Sequence, residues 1–521
     1  MSGALVKTLG GNLPALVSST SSTGRITVSS GTLDLSTFTA NRGTTVAGGI
    51  LTVSNGATLR IGGTDSVANY LTYTLGASGT VEYYGNNQTI AARTYGNLVF
   101  SGTSGTVVKT LIAKAFTVAG NFTTSVSTAS SLSFTAAAII TFTGNINIGA
   151  ATTFYAGSFS HPAIGNWVNN GTVEGNTSTF TCSGTSKSFS GSGTYNFNNL
   201  TISGAGYTGL ATTNISVNGN LVTSGSGTFT HIAGGVLTMS GTSKAITGTG
   251  IVLSDLTCTG TITTASTFTI TGNLSVAGSL TASAGVITLN GSSKNISGSG
   301  VISLKGLSVN GSVTTTSNFS IGTSLNISGT FAAASPSTAT FTGTSTLNGT
   351  ANLFNVTLNG TSLQLSTSSV LGIANAFTRT AGSLNVTSTT PNTVNYNGTG
   401  AQSVTASAYN NLILSNGNTK TAAGALTVNG DLTIAAGTTF DASSFTHAIT
   451  GNFTNNGTFT AGTSTINFTG TSDGAVSGAT TLGTKQYHHI FIRYGGNIGL
   501  CNSYPWNYYR FSIPGRYKQD V

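Results

Sequence analysis

The sequence predicts an all-β fold: a β-solenoid, namely a right-handed parallel β-helix built from degenerate repeats of about 50–57 residues. First, one phrase recurs as GTSKSFSGSGTYNFNNLTISG (184–204), GTSKAITGTGIVLSDLTCTG (241–260) and GSSKNISGSGVISLKGLSVNG (291–311). Second, short alternating apolar and polar segments lie between Gly-Ser or Asn-Gly bends, which is typical of strands. Third, no segment keeps a helical period, and each of the 71 glycines would cost a helix about 1 kcal/mol. Because the same position of each copy carries the same kind of residue, we expect like residues to stack coil on coil.

Each repeat starts with a Gly-Thr-Ser anchor or a close relative of it. Successive anchors between Gly184 and Gly398 lie 50 to 57 residues apart. The anchors are Gly85, Gly184, Gly241, Gly291, Gly343, Gly398 and Gly470. The residue two positions before each anchor is apolar, and strand alternation predicts that it points inward. These residues are Tyr83, Cys182, Met239, Leu289, Phe341, Tyr396 and Phe468.

A second phrase, aromatic-x-Asn-Leu-x-aliphatic, follows about twenty residues after an anchor, with its clearest copies starting at Tyr95, Phe197 and Tyr409. Its apolar residues are three and then two positions apart, so the strand must bend near the Asn. We expect this Asn to form the bend through left-handed backbone angles or a hydrogen bond within its own turn. Asp255 takes the same position and is predicted to be a bend residue. Coils of roughly twenty residues give on the order of 25 coils, two or three to each repeat.

Composition excludes several classes of protein. Only 5% of the residues are charged, against roughly a quarter in ordinary globular domains. The net charge of +9 comes from 18 Lys and Arg set against nine Asp and Glu. These basic residues are dispersed, so we expect no nucleic-acid binding. No apolar run reaches the roughly 18 residues of a membrane span, and three cysteines cannot form a disulfide framework.

The chain is predicted to have two regions: a solenoid domain over residues 1–494 and an atypical tail over residues 495–521. The tail ends in CNSYPWNYYRFSIPGRYKQDV, which has lost the Thr/Gly texture and gained aromatic residues. A cap, another module and a truncated end all remain open for it. The first residues, MSGALVKTLGG, lack the charged and apolar regions of a secretory signal. No export signal is visible, and we expect a fragment of a longer protein.

Phrases such as GNFTNNGTFTAGTSTINFTGT (451–471) give the chain a family resemblance. It resembles secreted β-helix proteins of the filamentous-haemagglutinin and adhesin type. More closely, it is similar to the Gly/Thr/Asn-rich "β-strand repeat" surface proteins of Gram-negative bacteria, Bacteroidota among them. The resemblance covers about residues 20 to 494 and implies a bacterial protein that is extracellular or at the cell surface. Neither the two-partner secretion module of haemagglutinins nor a C-terminal sorting domain is recognisable.

Lys187, Lys244 and Lys294 are the candidate binding residues, since each lies three positions after its anchor glycine. Stacked repeats would place them in a sparse row on one face, able to hold a glycan or another polyanion. The alternative is that they are solvated charges that keep a nearly neutral protein soluble. Equivalent positions carry Gln88, Thr346, Ala401 and Asp473, which favours the alternative.

We predict no catalytic, cofactor-binding or metal-binding residue. The carboxylates show no paired spacing, whereas a polysaccharide-cleaving β-helix needs several acids in one groove. Cys182 and Cys258 occupy apolar positions and are expected to be buried. His488, His489 and Cys501 lack the spacing of a zinc site.

The sequence therefore predicts a non-enzymatic, extracellular structural or adhesive protein, a rigid stalk or an adhesin segment. Its expected partners are carbohydrate, a host or neighbouring cell surface, or other copies of itself. Two alternatives stay open: a self-assembling extracellular filament subunit, and a polysaccharide lyase or hydrolase on a β-helix.

Overall fold

A computed structural model describes residues 5–13, 24–41, 48–63, 67–127, 130–210, 213–471, 474–478, 491–494, 497–499 and 509–510. Every helix or strand assigned in these ranges is a β-strand, and the strands stack into a β-solenoid of about 21 turns. The predicted all-β solenoid is confirmed. The expected number of coils was too high because some turns are longer than twenty residues; Leu98, for example, pairs with Phe122 one turn later. The chain divides into two compact units, Met1–Gly272 and Asn273–Val521.

Unit 1 has three long ladders of parallel strands, which we call faces A, B and C in the order in which the chain visits them. Face A consists of Val6–Thr8, Thr32–Asp34, Thr58–Ile61, Thr80–Tyr83, Asn97–Gly102, Phe122–Val126, Ile146–Ile148, Trp167–Asn169, Ser188–Ser190, Tyr207–Gly209, Phe229–His231, Ile251–Leu253 and Phe268–Ile270. Face B consists of Asn87–Ile90, Thr106–Leu111, Ser131–Thr135, Thr152–Tyr155, Thr172–Glu174, Thr194–Phe197, Ile215–Val217, Val236–Met239 and Asp255–Cys258. Face C consists of Thr94–Tyr95, Phe116–Val118, Ile140–Phe142, Ser160–Ala163, Thr179–Cys182, Asn199–Ile202, Leu221–Thr223, Lys244–Thr247 and Thr261–Thr264. A shorter ladder near the start contains Ile26–Val28, Gly48–Val53 and Tyr70–Leu75.

Unit 2 is built in the same way, but several of its strands are long and bend from one face to the next. Its strands are Leu274–Val276, Ser279–Leu289, Lys294–Ser297, Val301–Val309, Ser312–Thr315, Phe319–Ile327, Thr330–Phe341, Thr344–Asn348, Thr350–Leu358, Ser362–Leu365, Val370–Arg379, Ser383–Asn385, Thr393–Tyr396, Gln402–Val404, Ala408–Tyr409, Asn411–Leu414, Asn418–Ala422, Thr427–Val428, Leu432–Ile434, Thr438–Asp441, Thr446–Ile449, Phe453–Asn455, Thr458–Thr460, Thr465–Phe468, Ala475–Ser477, Phe491–Tyr494, Asn497–Gly499 and Tyr509–Arg510. The last strands depart from parallel pairing, since Ala475–Ser477 pairs antiparallel with Tyr509–Arg510 and Phe491–Tyr494 with Asn497–Gly499.

The core of each unit is a stack of alternate strand residues. Strands such as Thr179–Cys182 bury every second residue, as the period of two requires. Most of the residues before the anchors are buried as predicted: Tyr83, Cys182, Met239, Leu289, Phe341 and Tyr396. Phe468 departs from the prediction and is only half-buried. In these six repeats the residue before the anchor thus belongs to the core.

The recurring Asn of the second phrase acts differently from the expectation. The chain bends at the residue before it, as at Gly96 and Asn198, so the predicted position of the bend is confirmed. The backbone of Asn97 and Asn199 is not left-handed. The side-chain oxygen Oδ1 of each accepts a hydrogen bond from a backbone N–H of the next coil. The expected hydrogen bond within the Asn's own turn was therefore wrong.

In unit 1 this contact repeats over several coils, and we call it the asparagine ladder: Asn97, Asn121, Asn145 and Asn166. The backbone N–H of each member after Asn97 donates to Oδ1 of the member one coil earlier, at 2.8, 3.1 and 3.0 Å. Oδ1 of Asn166, the last member, accepts the backbone N–H of Ser188 at 3.0 Å. Each such bond satisfies a polar group at a corner, where the strand ladders are interrupted.

The repeat and the coil have different lengths, which explains why the number of coils in each repeat could not be read from the sequence. In unit 1 the anchor Gly184 lies between a face C strand and Ser188–Ser190 of face A. The next anchor, Gly241, lies between a face B strand and Lys244–Thr247 of face C. From Ser188–Ser190 to Lys244–Thr247 the chain advances by eight strands, and each turn contains three strands. One repeat is therefore two and two-thirds turns, and its copy starts at a different corner.

Candidate binding surface

The predicted row of lysines does not form in unit 1. Lys187 precedes a strand of face A, whereas Lys244 begins a strand of face C. In unit 2, Lys294 begins the strand Lys294–Ser297, which pairs with Ser312–Thr315. The shift of two-thirds of a turn per repeat separates residues that a whole number of coils would have aligned. Glycan binding by any one of the three lysines stays a prediction.

The three lysines are half-buried. Each follows a serine with positive φ, namely Ser186, Ser243 and Ser293. A Cβ on Gly184 would lie 2.7 Å from Cγ of Lys187, and a Cβ on Gly241 would lie 2.6 Å from Cγ of Lys244. The aliphatic stems of Lys187 and Lys244 thus cover their anchor glycines.

A row of alternating charges, which sequence reasoning missed, crosses face A of unit 1. Asp34, Arg60 and Glu82 are in register on three successive strands. Arg60 donates from Nη1 to Oδ2 of Asp34 at 2.9 Å and from Nε to Oε2 of Glu82 at 2.8 Å. The signal was present in the sequence, because the three residues lie one coil apart and alternate in sign.

Neighbouring side chains hold this charged row in place. The Arg60 guanidinium lies over the ring of Tyr84, 4.3 Å from its centroid. The Tyr84 hydroxyl donates to Oδ1 of Asp34 at 2.8 Å, and Ser101 donates to Oε1 of Glu82 at 2.6 Å. Burial and the hydrogen bond to Asp34 raise the pKa of Tyr84. The cluster thus has a defined geometry instead of being a set of mobile surface charges.

An open groove of about 340 Å³ lies beside this row. Its lining is almost entirely polar: Arg60, Glu82, Tyr84, Ser101, Gly102, Thr103, Ser125, Val126 and Ser127. All of these residues come from consecutive coils of face A and the turns that follow them.

A buried lysine is the second feature that the sequence did not reveal. Lys109 of unit 1 is buried, and its ammonium donates to the carbonyl of Gly85 and, at 2.6 Å, to Oε1 of Gln88. Gln88 in turn donates to the carbonyls of Ile61 and Gly63. Burial lowers the pKa of Lys109 to about 7.

Unit 2 contains the same arrangement. Lys420 donates to the carbonyls of Gly398 and Gly400 at 2.5 and 3.0 Å and to Oε1 of Gln402 at 2.7 Å. A tyrosine pair accompanies each buried lysine, with hydroxyl oxygens 3.1 Å apart: Tyr83 with Tyr95, and Tyr396 with Tyr409. In both units the anchor glycine supplies a carbonyl, so the anchor is part of an internal polar corner.

Two buried histidines form a further matched pair. His161 donates from Nε2 to the carbonyl of Ala156 at 2.9 Å and accepts the backbone N–H of Ile140 at Nδ1. His447 makes the equivalent bonds to Ala442 and Leu426. Burial lowers the pKa of both histidines, and these bonds fit the neutral imidazole.

Acid is expected to destabilise both units through these histidines. The folded pKa lies below the unfolded value of about 6.5, so their contribution is present above that pH and is lost as pH falls below it. The loss amounts to at most about 1.4 kcal/mol per histidine per pH unit. We expect the urea midpoint to fall between pH 7.5 and 5.5, and to fall less in the double variant His161→Phe, His447→Phe. An equal fall in both proteins would contradict this assignment.

The other candidate residues show no convergence. Cys182 and Cys258 are buried and unpaired, as predicted, and burial raises the pKa of each thiol to about 12. Within the described ranges, no group of three or more His, Cys, Asp and Glu side chains could hold a metal ion. His488, His489 and Cys501 lie outside the described residues.

Comparison with known proteins does not extend these observations. No family model, no curated protein and no solved structure matches the chain. Across the described part of the chain, no helix is long and apolar enough to cross a membrane.

Proposed function

We propose that the chain is a non-enzymatic structural or adhesive protein, a rigid β-solenoid stalk or adhesin segment at or outside a bacterial cell surface. The observation that carries the proposal is the continuity of the parallel ladders in each unit. In unit 1 the strands of face A from Thr32–Asp34 to Phe268–Ile270 form an unbroken ladder, in which each strand pairs with the face A strand of the next coil. Backbone hydrogen bonds between coils and a continuous apolar stack resist bending, as a stalk requires.

The outer surface supports adhesion to uncharged or hydroxyl-rich partners. The outward positions of strands such as Thr179–Cys182 and Thr458–Thr460 are threonines, which carry no charge. Such side chains both donate and accept hydrogen bonds, so they suit carbohydrate.

The enzymatic alternative has less support. Asp34 and Glu82 lie on either side of Arg60, and each accepts a hydrogen bond from its guanidinium. Cleavage of a glycosidic bond by hydrolysis needs two carboxyl groups that flank the bond, whereas an arginine side chain lies between these two.

The test combines three measurements on one preparation of the full chain: binding to a glycan array and to bacterial and host cells, electron micrographs, and release of sugar ends from polysaccharides. The proposal predicts surface or glycan binding by single particles without sugar release. Concentration-dependent fibres would favour the filament alternative. Release of unsaturated or reducing ends would overturn the non-enzymatic assignment.

A further inference from the structure

We propose that the groove beside Arg60 in unit 1 binds an uncharged sugar unit of a glycan. This inference rests on the proposed adhesive function and names the site through which it would act. The groove is formed by residues of successive coils, and its charged members are already fixed by the contacts described above.

The groove has a floor and a charged edge. Tyr83 pairs with Phe100, and Ser101 pairs with Ser125, so Tyr84, Ser101 and Ser125 follow one another on three successive coils and form the floor. Arg60 and Glu82 form the edge of the groove, and the turn residues Thr103 and Ser127 line it further. Ser125 and Thr103 are exposed, so a ligand can reach the floor from solvent.

The edge offers both kinds of hydrogen-bonding group that a sugar needs. Each oxygen of Glu82 accepts one bond, from Arg60 or from Ser101, and a carboxylate has about four acceptor sites in all. Arg60 uses Nε and Nη1, while Nη2 has no hydrogen-bond partner among the described residues. Neighbouring sugar hydroxyls could therefore donate to the carboxylate and accept from the guanidinium at once.

The charge balance selects against anionic ligands. One arginine stands against two carboxylates, so the row carries a net charge of minus one. Sulfate, phosphate or uronate groups would therefore gain no net attraction from the row. A neutral sugar does not need such an attraction.

The edge is also preorganised, because the Arg60 guanidinium is held by two carboxylates and by the ring of Tyr84. Little side-chain freedom remains to be lost when a ligand binds. The volume of about 340 Å³ lies at the lower end of small-molecule sites, which suits a short piece of a glycan.

The experiment compares the full chain with two groove variants and one control. Glu82→Gln removes the charged acceptor, and Ser125→Phe fills the floor without touching the charged row. The control is Glu174→Gln, since Glu174 also accepts a side-chain bond, from Asn196 at 2.9 Å, but on face B. Circular dichroism checks that each variant is folded.

The probes are lactose, cellobiose, maltose and an array of neutral and sulfated or sialylated glycans, with dissociation constants measured by calorimetry. We expect at least one neutral probe to bind, and to bind at least about tenfold more weakly to both groove variants but not to the control. Undiminished binding by the groove variants, no binding of any neutral probe, or a preference for anionic glycans would overturn the site. If Glu82→Gln and Ser125→Phe still adhere to cells like the unmodified chain, the site is wrong while the adhesive function stands.

Discussion

Gly144→Ala should separate neighbouring coils in unit 1 and destabilise them by at least about 2 kcal/mol. A Cβ at this position would lie 2.1 Å from the carbonyl oxygen and 2.3 Å from the carbonyl carbon of Gly120, one coil earlier. Both are backbone atoms, so no side chain can rotate away. The next coil approaches Gly144 in the same way, since a Cβ on Gly165 would lie 2.1 Å from the Gly144 oxygen.

Hydrogen exchange followed by mass spectrometry measures this effect locally. The backbone amides of Asn121, Asn145 and Asn166 each donate to the preceding member of the asparagine ladder, and they should exchange faster in Gly144→Ala. Gly11→Ala is the matched control, because no atom of the described residues beyond its chain neighbours lies within 4 Å of a Cβ at this position, and its φ lies outside the left-handed region. It should change stability by less than about 0.5 kcal/mol. Equal exchange in the two variants would show that the coils do not approach so closely.

Lys420→Met should destabilise unit 2 by about 2 kcal/mol, since it removes three hydrogen bonds and leaves the buried carbonyl of Gly398 without its lysine donor. Methionine keeps most of the aliphatic length, so the loss is mainly polar. The three acceptors, the carbonyls of Gly398 and Gly400 and the side-chain oxygen of Gln402, match the three N–H groups of one ammonium.

Lys187→Met serves as the control for Lys420→Met, because Lys187 is a half-buried corner lysine whose nitrogen is not part of such a cradle. The two variants are compared by chemical unfolding and by hydrogen exchange in peptides around residues 398–422. A further variant, Lys420→Met with Gln402→Leu, should be less stable still, because it also removes the donor to the Ile373 carbonyl and the acceptor of the Gly398 N–H. An effect of Lys420→Met no larger than that of Lys187→Met would contradict the cradle.

Periodicity made the architecture predictable. Alternation placed Cys182 and Met239 inside the core, and both are fully buried. The bend between Phe197 and Leu200 followed from apolar spacing alone, and both side chains are buried on either side of it. These features depend on residues near one another in sequence, where the strand period acts directly.

Features that depend on contacts between coils were less accessible. The row of Lys187 and Lys244 failed because the repeat is not a whole number of turns, and no local pattern states the length of a turn. The asparagine ladder and the buried Lys109 arise from partners about twenty residues or more away. Arg60 was missed for the same reason, since Asp34 and Glu82 become its neighbours only once the register of the coils is known.

Cysteine cross-linking between coils tests the central claim, the register of the parallel stack, most directly. Thr153 pairs with Thr172 of the next coil and with Ser133 of the preceding coil. Ser133 and Thr172 are therefore two coils apart. Adjacent parallel strands place such residues about 5 Å apart, within the reach of a disulfide, whereas two coils exceed it. The stack predicts a disulfide in the variant Thr153→Cys, Thr172→Cys and none in Ser133→Cys, Thr172→Cys. Mass spectrometry that finds the reverse, or equal yields of both, would contradict the solenoid register.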